Sequence, residues 1–183
     1  MSAFDVEAYG PVIAGLLRGV PPAPLDAGAP NAKFRAALAG LTAENLLEPA
    51  GRTVRDERMA QGCLAGLWLR HNFMEESHGI SQELETPTGS FWHGILHRRE
   101  PDFGNARYWF RRVGRHPVFP ALNEAAMAEG WPVGARWDAV ALVDAVERVS
   151  RTGAEAEAKL CRAVQQREWE LLFDYCWKQA GGA

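Results

Sequence analysis

Residues 86–114 read TPTGSFWHGILHRREPDFGNARYWFRRVG, two helices with their own start and stop signals. Thr86 is a suitable N-cap, and Pro87 suits a first helical turn, where its missing amide proton costs nothing. Pro101 stops this helix after Glu100, because a proline cannot continue the hydrogen-bond ladder. Asp102 caps a second helix that Gly114 ends, with Pro117 beyond it. Phe103, Ala106, Phe110 and Val113 then share one stripe, as a helix packed on a core requires.

The same period continues in both directions. Upstream, Phe34, Leu38 and Leu41 mark a short helix, and Thr42 can cap another through Leu47. A long helix starts near Asp56 and is expected to run to at least His78. Downstream, helices span Phe119 to Glu129, Trp137 to Val149 and about Ala154 to Ala180. Ala139, Leu142, Val143, Val146 and Val149 line one of them; Leu160, Val164, Leu171 and Tyr175 line the last. The alternating β-branched pattern of strands is missing. The sequence therefore reads as all-α, a single compact, bundle-like domain of about eight or nine helices. Residues 1–32 form an N-terminal helix, roughly Val6 to Arg18, and a Pro/Ala/Gly-rich connector from Gly19 to Ala32. Residues 33–183 form the all-α domain.

At 183 residues and 47% hydrophobic, the chain can enclose a real core. No apolar run reaches the roughly 18 residues of a membrane span, and the acidic N-terminal stretch does not resemble a secretory signal. Cys63, Cys161 and Cys176 lack CxxC spacing and read as reduced, buried thiols. These features imply a cytoplasmic protein with no membrane partner. The net charge of −3 gives no support to a nucleic-acid partner. Residues 98–115 nevertheless carry six arginines against Glu100 and Asp102, a local +4 on a body of −7. Such a patch suits a small anionic molecule or an acidic protein partner. Oligomeric state is not encoded in any pattern here.

All five histidines lie between His71 and His116. His71-x3-Glu75-x2-His78 and His93-x3-His97-x2-Glu100 each bring three titratable groups to one helical face. If the two helices pack as an antiparallel hairpin, His78 meets His93, Glu75 meets His97 and His71 meets Glu100. Imidazoles and carboxylates converging at this spacing can chelate one divalent metal ion, with His71, His78, His93 and His97 as candidate ligands. A metal-free alternative makes His93, His97 and Glu75 acid/base groups. A third has the histidines hydrogen-bonded within the core, rigidifying the helix pair. No second Glu-x-x-His accompanies Glu75 and His78, which argues against a di-iron centre.

On the next helix, Arg107 and Arg111 lie four residues apart, as do Tyr108 and Arg112. Arg107, Arg111 and Arg112 are candidates for gripping a carboxylate or phosphate, and Trp109 for stacking on a ring. The alternative is a solvated face, in a chain whose basic residues are mostly arginine. G-x-S-x-G, P-loop and G-x-G-x-x-G motifs are absent.

HGILHRREPDFGNARYWFRRVGRHPVFP resembles a family of uncharacterised bacterial proteins carrying an HRREPD…NA-x-YW-x-R-x-VG-x-HP block. QQREWELLFDYC belongs to the same pattern, and the likeness covers the last two-thirds of the chain. It implies no activity and no catalytic roles. The HGILHR stretch is also similar, over fewer than a dozen residues, to the His-x3-His helix of DinB-like metal-binding bundles. Together these features lead to a His/Glu/Arg site that binds, and turns over if it is an enzyme, a small anionic metabolite. The alternative is a non-enzymatic module docking an acidic protein.

Overall fold

The computed structural model describes residues 4–182. Among them lie nine α-helices, three short 3-10 turns and no strand. The helices are α1 (Gly10–Leu17), α2 (Arg35–Ala39), α3 (Glu57–Arg70), α4 (Met74–Glu83), α5 (Pro87–Arg99), α6 (Phe103–Val113), α7 (Phe119–Ala128), α8 (Ala139–Thr152) and α9 (Glu155–Ala180). The punctuation read from residues 86–114 is realised. Thr86 accepts a hydrogen bond from the Gly89 amide at 2.9 Å, and Asp102 accepts one from Asn105 at 3.1 Å.

Helix α5 is the axis of the assembly, buried along its whole length from Thr88 to Arg99. It touches α3, α4 and α6; α9 closes the far side against α3, α7 and α8. Two glycines allow the close approach of α3: a Cβ at Gly66 would sit 2.8 Å from the Trp92 ring, and one at Gly62 3.1 Å from Cys176 Sγ. Trp92, Phe91, Ile95, Leu67 and Phe173 are fully enclosed there. A helix buried on every side must bury its polar residues too. His93, His97, Arg98 and Arg99 therefore go inside, where each needs a partner.

Three expectations change. The long helix from Asp56 to His78 is two helices. It ends at Arg70 in a Schellman motif with Asn72 in the left-handed conformation, φ 62°. The Phe73 amide bonds the Trp68 carbonyl at 3.0 Å, and the two rings meet edge to face at 5.2 Å. Asparagine tolerates that backbone region better than most residues, so it does here what glycine usually does. Secondly, Thr42 does cap, exchanging hydrogen bonds with Asn45, but it closes a turn rather than a helix. Only a 3-10 turn, Glu48–Ala50, follows. Thirdly, the N-terminal helix breaks at Gly10, φ 79°, into a 3-10 turn (Val6–Tyr9) and α1.

The connector after α1 has no regular structure, so its carbonyls are satisfied by side chains from the domain. Arg70 donates to Val20, Gln165 to Ala23 and Pro24, Arg99 to Asp26 and Ala27, and Asn72 to Ala29. Ile13, Leu16 and Leu17 of α1 belong to the same hydrophobic core as α3, α5 and α9. The N-terminal helix and its connector are thus both held against the rest of the domain.

Candidate functional site

His93 and His97 stand one turn apart on α5, and their rings stack at 4.7 Å. The short turn between α4 and α5 brings His78 against both, edge to face, at 4.7 Å from His93 and 5.5 Å from His97. One ring nitrogen from each histidine lies within 4.8 Å of the others. The expected level pairing of His78 with His93 is thus present. Gly89 permits this turn: a Cβ there would fall 2.1 Å from the Leu84 carbonyl oxygen.

His93 is 2% exposed and His97 8%, whereas His78 is half-buried and supplies the outer edge. Burial, then the neighbouring His97 and His78, pushes His93 down to about 4. Burial also lowers His97, against the opposing pull of Glu100 and Asp102. Both rings are consequently neutral at pH 7, each with a lone pair available. Neither His93 Nδ1 nor His97 Nδ1 has a hydrogen-bond partner. The Glu100 carboxylate lies 3.3 Å from His97 Nδ1, within ion-pair range but off the direction of a hydrogen bond. A buried unpaired donor or acceptor costs about 1–3 kcal/mol, so each of these two rings has one unmet hydrogen-bonding demand.

Trp109 of α6 covers one flank, its ring parallel to His93 at 4.1 Å. Arg112 lies over Trp109 at 5.1 Å and donates to the Tyr108 hydroxyl at 3.0 Å. A guanidinium is therefore stacked on the wall of the histidine cluster. Arg111 is exposed and makes no hydrogen bond or ion pair among the described residues.

Other candidate residues lie elsewhere. His71 has left the helix at the α3 terminus and packs on Phe34 at 4.5 Å, with Asn31 Nδ2 3.5 Å from its Nδ1. The helix break carries it away from the other rings, so the His71–Glu100 pairing does not form. Glu75 is exposed on α4 and does not join the cluster, and the Glu75–His97 pairing is absent too. Arg107 is committed to Asp144, at 2.7 Å, and to Glu147, tying α6 to α8. Those two carboxylates neutralise it, which removes it from any anion grip. His116 sits apart, its Nδ1 accepting from the Val118 amide and its Nε2 3.1 Å from Thr88 Oγ1.

Sequence reasoning missed the buried arginines. Arg98 and Arg99 occupy the last turn of their helix, where positive charge is favourable even at a surface, yet they are 0% and 1% exposed. Arg98 is ion-paired with Glu168 and takes a further hydrogen bond to Gln165 Oε1 at 3.3 Å. The signal was present: Gln165 and Glu168 interrupt the apolar side of α9 one turn apart. Comparison with protein-family profiles, curated proteins and solved structures returns no match. The functional reading consequently rests on this chain's own geometry.

Proposed function

We propose that the chain is a metal-binding protein in which His78, His93 and His97 hold one divalent transition-metal ion, and that the ion's remaining position takes up a small anionic ligand. The observation that carries this is the convergence of one ring nitrogen from each of three histidines within 4.8 Å, two of the rings being buried. Imidazole is a preferred ligand for zinc, copper, nickel and iron, and three protein ligands with one open position is the arrangement of reactive rather than structural zinc sites. Three neutral imidazoles leave the ion's full +2 charge uncompensated, which favours an anion in the open position. Glu100 near His97 would orient that ring and raise its basicity, the usual role of a carboxylate behind a ligating histidine. Arg112 on Trp109 adds positive charge close by, and a bound ion would act on its ligand as a Lewis acid.

Cobalt(II) titration tests this reading. One equivalent should give visible bands of a low-coordinate nitrogen site, and azide should shift them. His93→Ala should abolish the bands, and Arg112→Ala should weaken the azide effect without removing the cobalt. A featureless spectrum at stoichiometric cobalt would refute the proposal. A second reading is favoured by Tyr108, 49% exposed beside exposed Arg111 and Arg112: this face would dock an acidic protein. Metal-independent capture of an acidic peptide that is lost in Tyr108→Ala would select it.

A further inference from the structure

Three guanidiniums are buried around the N-terminal connector, and only one of them meets a carboxylate. Arg98 is neutralised by Glu168. Arg70, 7% exposed, and Arg99, 1% exposed, are hydrogen-bonded only to backbone carbonyls and the Asn72 side-chain oxygen. Glu170 and Asp26 act on them only from a distance, neither forming an ion pair with Arg70 or Arg99, and Glu170 is paired with Arg167. Two positive charges inside a protein without a counter-charge in contact are unfavourable. Arg70 Nη1 is also buried with no hydrogen-bond partner.

Between these arginines is a cavity of about 10 Å³, lined by Ala23, Leu69, Arg70, Ile95, Arg99 and Trp169 among others. That is room for one water-sized particle, too little for phosphate or a carboxylate. Arg70 Nη1 has both of its N–H groups free, and Arg99 Nη1, bonded only to Leu69, has one to spare. Trp169 contributes no competing donor, because its indole nitrogen already donates to Gly66. The geometry points to a structural site for a single-atom monovalent anion, chloride in ordinary solution, between Arg70 and Arg99 beneath the connector. The ion supplies the counter-charge that the side chains lack and holds the connector to the domain.

Thermal unfolding at constant ionic strength, with chloride replacing gluconate, tests the site. Because the ion binds only the folded chain, Tm should rise with the logarithm of chloride concentration above Kd, by about 3–6 °C at ten times Kd. Arg70→Met should lose this dependence, while Arg18→Met, at an exposed arginine, should keep it. Crystals grown with bromide should show an anomalous peak between Arg70 and Arg99, a readout that needs no variant. Equal Tm in chloride and gluconate, or bromide-soaked crystals without that peak, would mean that the cavity holds water only and would overturn the assignment.

Discussion

Replacing Glu168 by glutamine should be among the most damaging isosteric changes in this chain. Both side chains of the Arg98–Glu168 pair are 0% exposed. The substitution preserves volume but leaves a guanidinium inside the core with a neutral partner. The Gln165 oxygen still accepts from Arg98, but it supplies no charge. Removing one partner of a buried pair costs about 3–5 kcal/mol, and for a chain of this length each kcal/mol lowers Tm by about 2–4 °C. A fall of about 6–20 °C follows. Urea denaturation read by tryptophan fluorescence should show the midpoint falling with an unchanged slope. Arg107→Ala is the control, since its pairs with Asp144 and Glu147 are partly solvated and are worth at most about 1 kcal/mol. A Glu168→Gln protein melting within 2 °C of the parent would show that Arg98 does not depend on this charge, and the reasoning about buried guanidiniums would fail with it.

Other outcomes follow from the same geometry. In metal-free protein, His71, His93 and His116 are each held down to about 4 by burial. Their neutral forms are favoured in the fold, so stability is intact above pH 6.5 and is lost as pH falls toward 4. The loss is of order 3 kcal/mol per ring at the lower end. Ring-nitrogen NMR titration should show these three histidines unprotonated at pH 5.5, and a normal titration near 6.5 would contradict the burial argument. Gly89→Ala places a methyl group 2.1 Å from the Leu84 carbonyl oxygen; it should open the α4–α5 turn, destabilise by about 1–3 kcal/mol or more and weaken metal uptake. Unchanged melting and cobalt spectra in that variant would rule out a tight turn. Trp109→Ala removes the stack on His93 and should loosen metal binding by about 2–10-fold, corresponding to about 0.5–1.5 kcal/mol. Trp109→Phe should restore most of the loss, and identical affinities in all three proteins would leave the stack without a role.

Helical punctuation was the most legible feature of the sequence, because caps and prolines act locally. Thr86, Asp102 and Pro101 each contain their own reason for a boundary, and α5, α6 and α9 lie close to where periodicity puts them. Asn72 was harder to read, since an asparagine ends a helix only when its surroundings stabilise the left-handed turn. Here Trp68–Phe73 packing and the bond to Ala29 do so. That one residue decided which histidines share a site: it sent His71 to Phe34 and left His78 facing His93. The burial of Arg98 and Arg99 was illegible for a different reason. Helical spacing shows which side chains share a face, but not that a whole helix will be enclosed, and enclosure makes Arg98 and Arg99 buried ties.

Zinc titration of metal-free protein against a chromophoric chelator at pH 7.5 tests the histidine cluster most directly. The parent should bind one equivalent, with affinity at least about 100-fold weaker in each of His78→Ala, His93→Ala and His97→Ala. His71→Ala and His116→Ala should bind as the parent does. Equal affinity in all six proteins would contradict the account.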